Sequence, residues 1–177
     1  MSQIKVNSII PVAGVPTGGG GGIIQVKQTV KTDSFSSTGT TSFVDVPNLS
    51  ASITPTSTSS KILVLYDLSW SSSDGHITCR LMRDSTMIKV GDADGNRTRA
   101  TGHRHEGGGQ SGDKYDIDVC SGTILDSPAT TSSVTYKFMV RTNSNANNVM
   151  VNRSGNDANY DWEGRTASSI TLMEVSA

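Results

Sequence analysis

From Ile23 onward, apolar residues recur at every second position in short segments, each cut off by clusters of Gly, Pro, Asn, Asp and Ser. That spacing puts alternate side chains on opposite faces of an extended strand and leaves no helical stripe to bury. Val134, Tyr136, Phe138 and Val140 alternate cleanly, as do Leu49, Ala51 and Ile53 with Ser50, Ser52 and Thr54. Ile24, Val26, Gln28 and Val30 fall on one face of an early strand, with Ile23, Gln25, Lys27 and Thr29 on the other. The most hydrophobic stretch, 61–68, reads as a central strand buried on both faces and closed by Trp70. Ile77, Cys79 and Leu81 form the next strand, and Asp84-Ser85 turns the chain into the hairpin partner 87–90. Residues 42–46 read as a short strand ended by Pro47-Asn48, and 34–41 as a Ser/Thr/Gly turn region. Ile117 and Val119, then 123–125, 149–151 and 170–175, return to strand character. About nine short strands with turn signals between them, and no helix or heptad pattern, predict an all-β fold. The specific expectation is a jelly-roll-like antiparallel β-sandwich whose closing strand returns beside the early ones.

The start of the chain has a different grammar. Ile4, Val6, Ile9, Ile10, Val12 and Val15 are apolar, Pro11 and Pro16 interrupt them, and Gly18–Gly22 follow. Five consecutive glycines carry too much backbone entropy to hold regular structure alone. Residues 1–22 therefore read as an extended apolar arm with a Gly-rich hinge, and 23–177 as a β-sandwich head. Such an arm buries its side chains only against a partner surface, by strand addition or by packing along it.

Only 34% of the 177 residues are hydrophobic and 5% aromatic, little for a self-sufficient core. Part of the deficit belongs to the arm, and neighbouring copies can supply the rest. The net charge of −1, without a Lys/Arg block, gives no electrostatic footprint for nucleic acid. No stretch approaches the roughly 18 apolar residues of a membrane span, and the first residues lack the features of a signal peptide. Two cysteines, Cys79 and Cys120, do not make a disulfide framework. Cys79 reads as a small buried hydrophobe; a bridge to Cys120 is geometrically open but not demanded, and a reducing compartment of synthesis is the default.

Catalytic patterns are missing. Gln110-Ser111-Gly112 is not a nucleophile elbow, and the glycine run lacks the lysine and helix of a phosphate loop. Asp92, Asp94 and Asn96 resemble a calcium loop, but Gly95 comes early and the distal Glu is absent. Asp116 and Asp118 share a strand face, a spacing that usually marks a solvated edge rather than a glycosidase pair. The expectation is a protein that is not an enzyme and needs no cofactor.

Several blocks together resemble small virion proteins of tailed bacteriophages, cyanophages in particular. They are Ser2-Gln3-Ile4-Lys5-Val6-Asn7-Ser8-Ile9 with the Gly hinge, Gln25-Val26-Lys27-Gln28-Thr29, Ser59-Ser60-Lys61-Ile62-Leu63-Val64 and Leu81-Met82-Arg83-Asp84-Ser85-Thr86. Leu125-Asp126-Ser127-Pro128, Thr135-Tyr136-Lys137, Val151-Asn152-Arg153 and Thr166-Ala167-Ser168-Ser169-Ile170-Thr171 extend the resemblance along nearly the whole chain. It implies a virion protein assembled in the host cytoplasm: a short homotrimeric fibre or spike anchored by Ile4, Val6, Ile9, Ile10, Val12 and Val15 to capsid, neck or tail proteins. The alternative is a decoration or cement protein that stabilises the shell. A polysaccharide-cutting spike is a third reading, but such enzymes need clustered acids along a larger groove. Host-facing candidates, for a surface glycan or protein, are Arg97, Arg99, His103, Arg104 and His105 in the long loop 91–114, and Tyr160 and Trp162. In a trimer His103 and His105 would bring six imidazoles to the axis, enough for a transition metal, although a solvated loop is the simpler reading and no metal is the expectation.

Overall fold

A computed structural model describes residues 22–73, 75–106 and 115–176. The arm residues Ile4, Val6, Ile9, Ile10, Val12 and Val15 lie outside the described residues. Eleven strands run through the described residues, with no helix beyond a single turn residue at Tyr115. In chain order they are β1 (Ile23–Lys31), β2 (Phe35–Thr38), β3 (Val44–Ile53), β4 (Lys61–Ser72), β5 (Gly75–Arg83), β6 (Thr86–Ile88), β7 (Gly102–Glu106), β8 (Asp118–Asp126), β9 (Val134–Thr142), β10 (Asn148–Val151) and β11 (Ser168–Val175).

All pairings are antiparallel and fall into two sheets. In the first, β1 pairs β11 and β11 pairs β4, while β8 pairs the other edge of β4 from Ile62 to Trp70. Beyond Asp67 the place of β11 beside β4 passes to β10, which carries β2 on its outer side. In the second sheet β3, β9 and β5 are neighbours, and both β6 and β7 pair the far edge of β5. Without the short strands β2, β6 and β10, the order β1-β11-β4-β8 faces β3-β9-β5-β7. That is the strand order of an eight-stranded jelly roll, so the expected fold class is the observed one.

The core lies between the sheets and is built from the period-two residues. Ile62, Val64, Tyr66 and Leu68 of β4, with Ile170 and Leu172 of β11, meet Ile77, Cys79 and Leu81 of β5 and Tyr136, Phe138 and Val140 of β9. Tyr66 meets Phe138 edge to face, ring centroids 5.5 Å apart. The central strand β4 is not buried on both faces as expected. Up to Leu68 it alternates between buried and half-buried residues, because only one face of its sheet is covered by the other.

Three local expectations change. Pro47-Asn48 does not end a strand; it bends β3, whose pairing with β9 shifts register between Asp45 and Ser50 while Asn48 takes a positive φ of 60°. The bulge lets Val46 and Leu49, three apart, both face the core. Phe35–Thr38, expected as turn, forms an edge strand on β10. Gly102–Glu106, expected as loop, is a strand on β5, so His103, Arg104 and His105 do not sit on a solvated loop. The sequence pattern hid these two because edge strands need few apolar residues.

Candidate functional site

Three surfaces of the head carry the residues that could meet something else. The first is the outer face of the β1-β11-β4-β8 sheet. Register places Val26 opposite Met173, Met173 opposite Leu63, and Leu63 opposite Leu125, an apolar row across four strands. Val26 is 52% exposed and Leu125 56%, while Met173 and Leu63 are half-buried. In β1 the polarity is inverted. Val26 and Val30 face outward, and Gln25 and Thr29 face the other sheet: Gln25 Nε2 donates to Glu174 at 2.6 Å, and Thr29 Oγ1 donates to the Ser50 carbonyl at 2.8 Å. Lys31 is buried and ion-paired with Asp33 at 2.7 Å.

The second surface holds the Arg/His candidates. His76 of β5 pairs with His105 of β7, and Thr78 with His103, so both β7 histidines lie on the outward side of the second sheet. The rings stack in sequence, His76 to His105 at 4.1 Å and His76 to His103 at 5.3 Å between centroids. Partial burial holds the His103 imidazole below its ordinary value, and the neighbouring His76, Arg141 and His105 push it the same way. Arg104, one residue out of phase, points the other way and pairs with Asp118 at the start of β8. Arg99 Nε donates to the Gly91 carbonyl and Arg97 pairs with exposed Asp94, both at 2.7 Å. Among the described residues no group of three His, Cys, Asp or Glu side chains is placed to hold a metal ion. Asp118 is committed to Arg104, not poised with Asp116 as an acid pair.

The third surface is the segment between β10 and β11. Tyr160 and Trp162 stack with centroids 4.4 Å apart and planes 13° apart. Trp162 is 64% exposed and Tyr160 56%, so Trp162 does not plug the end of the sandwich. Beside them Asp157, Asn159, Tyr160, Glu163 and Arg165 line a hollow of about 300 Å³. The walls are fixed by polar contacts: Asp157 with Arg153 and Arg165, Glu163 with Ser154 and with Asn156. The Ser154 and Asn156 hydrogen bonds hold the Glu163 carboxyl below its ordinary range. A flat aromatic pair beside fixed carboxylate and amide groups suits the apolar face and hydroxyls of a sugar.

Sequence reasoning missed the buried polar groups that set the ends of the sandwich. Glu174 and Asn152 are fully buried. Glu174 accepts from Gln25 and, at 2.7 Å, from the Thr56 amide and hydroxyl. Asn152 Nδ2 donates to the Lys31 and Asp33 carbonyls, and its Oδ1 accepts from Ser168. The two thiols also approach one another across Gly102, where an added Cβ would stand within 2.9 Å of both sulfurs.

The candidates are polarised along the fold. Ile23, Val175 and Lys61 are register neighbours at one end of β4. Arg104 with Asp118, Trp70, Val151 and the segment leading to Ser168 belong to the other. Nine residues of strand, about 30 Å, separate Lys61 from Trp70.

No protein-family model and no curated protein matches the chain. Among solved structures it is similar to the infectious bursal virus protein of the derived T=1 particles, at a TM-score of 0.39 and 14% identity over 94% of this chain. It is also similar to that of the infectious bursal disease virus Gx strain, at 0.37 and 12% over 88%. The chain spans 42% and 38% of those two chains, and at this distance the likeness assigns no function.

Proposed function

We propose that this chain is a non-enzymatic structural protein of a bacteriophage virion, a short homotrimeric fibre or spike held to the particle by its N-terminal arm and presenting the sandwich head outward. The observation that carries the proposal is the Val26–Met173–Leu63–Leu125 row with the inverted β1 beneath it. A strand that turns Val26 and Val30 to water and Gln25, Thr29 and Lys31 to the other sheet gains stability where something covers the valines. Copies of the same chain are the economical cover for a head with so small an apolar share.

Light scattering of the full chain tests this. A trimer is expected, and Val26→Lys with Leu63→Lys should dissociate it into folded monomers. A wild-type monomer at micromolar concentration, or a variant that remains trimeric, removes the support.

Polarity of the head favours a further role in host attachment. The arm leaves beside Ile23, and Arg104, Tyr160 and Trp162 belong to the opposite end. On this reading the Tyr160–Trp162 pair and its hollow take a host-surface glycan. Trp162→Ala should reduce adsorption of phage to cells while leaving particle assembly intact, and unchanged adsorption would remove the host-facing role. A decoration protein would use the same apolar row against the shell, and copy number on the particle separates the two: many copies across the shell for cement, a few sets at a vertex, neck or baseplate for a fibre.

A further inference from the structure

We propose that Cys79 and Cys120 form a redox-modifiable dithiol that closes into a disulfide between the two sheets when the protein meets a low-molecular-weight disulfide such as oxidised glutathione. Cys79 belongs to β5 in one sheet and Cys120 to β8 in the other. Gly102, the register partner of Cys79 on β7, is what lets them meet. A Cβ at Gly102 would stand 2.6 Å from the Cys120 sulfur and 2.9 Å from the Cys79 sulfur, so both sulfurs occupy the space that any other residue would fill.

The two thiols are differently placed, which orders the chemistry. Cys79 is fully buried, whereas Cys120 is partly exposed and lines a depression of about 240 Å³ with Trp70, Gly102, His103, Arg104 and Asp118. The hydrogen bond from Cys79 holds the Cys120 thiol below its ordinary value against the opposing effect of burial, and Lys89 helps. The same hydrogen bond, with burial, pushes Cys79 up. The Cys120 thiolate is therefore the group that attacks the incoming disulfide. Its sulfur bonds to one glutathione sulfur, and the second glutathione leaves as thiolate. The Cys79 sulfur then gives up its proton and attacks the Cys120 sulfur, expelling the remaining glutathione. Two electrons pass from the cysteine pair to the disulfide, and the two glutathiones leave as thiols carrying the two protons.

The bond would tie β5 to β8, an edge strand whose pairing among the described residues is with β4. A chain made in a reducing compartment would thus fold with free thiols and be stapled across its sheets on reaching oxidising surroundings.

The test uses the purified full chain, reduced and then incubated natively with oxidised glutathione. Both thiols should disappear together on titration after unfolding, peptide mapping should recover a Cys79–Cys120 link without retained glutathione, and melting should rise by roughly 10 °C and fall back on adding reductant. Cys79→Ser should halt at a mixed disulfide on Cys120, and Cys120→Ser should leave Cys79 unmodified. A wild-type product that keeps glutathione, links two chains, or retains both free thiols overturns the proposal.

Discussion

At the scale of single residues, the polar side chains that matter most are the buried ones. Burial pushes the Glu174 carboxyl up, but hydrogen bonds from Gln25 and Thr56 outweigh it and hold the group below its ordinary value. A carboxyl depressed on folding adds stability above its unfolded value, and that stability is lost as pH falls through the folded one. Denaturant titrations below pH 4.5 should therefore show a decline that Glu174→Gln reduces. His103 gives a second window. Its imidazole is held below 6.5, so folding favours the neutral ring, and stability should fall as pH drops below 6.5. His103→Asn should flatten the pH dependence between neutrality and pH 5, and an unchanged slope in that variant would show that the stacked histidines carry no such cost. Asn152 is the third such residue. Replacing it by Ala leaves the Lys31 and Asp33 carbonyls and Ser168 without their partner, which should cost about 1–3 kcal/mol in chemical denaturation. Asn152-Arg153-Ser154 has the form of an N-glycosylation acceptor, but its Asn side chain has no exposure at all. None of these roles was legible in the sequence, because a buried Asn or Glu looks the same as an exposed one until its partners, here 16 to 149 residues away, are brought to it.

At the scale of elements, the strands with strict alternation were readable and those defined by their neighbours were not. β9 shows Val134, Tyr136, Phe138 and Val140 buried in the order that the sequence predicts. Truncating Phe138 to Ala should cost about 3–5 kcal/mol, since its ring is fully buried against Tyr66, and thermal melting of the pair of proteins checks it. By contrast β2 offers only Phe35, and β7 is Gly-His-Arg-His-Glu; both exist because β10 and β5 offer a free edge. In β1 the alternation was legible, but not which face it serves. Periodicity assigns residues to faces, and only the opposing sheet decides which face is inside. The bulge in β3 depends on Asn48 at φ 60°, a conformation that costs β-branched residues most. Asn48→Gly should leave stability nearly unchanged, and Asn48→Val should lower it by about 1–3 kcal/mol.

At the scale of the whole molecule, the jelly-roll order follows from simple demands: short strands, two half-covered sheets and a closing strand that inserts between β1 and β4. The candidate site was legible as a set of residue types but not as an arrangement. Arg97 and Arg99 are tied locally to Asp94 and Gly91, Arg104 spans the mouth of the sandwich to Asp118, and Tyr160 and Trp162 stand as an exposed pair. The arm must be tested as part of the assembly. A chain lacking residues 1–17 should fold with an unchanged melting profile yet fail to incorporate into particles; normal incorporation would remove the anchoring role.

Ile23 and Val175 are register partners, and Gly22 and Ser176 exchange two hydrogen bonds of 3.0 Å. If the proposed anchoring through residues 1–17 holds, a peptide extending the chain past Ser176 would emerge beside Gly22 and be crowded against the particle, a poor place for a purification tag or displayed antigen. On the same reading the 157–165 segment, at the other end of the sandwich, is the side seen from outside.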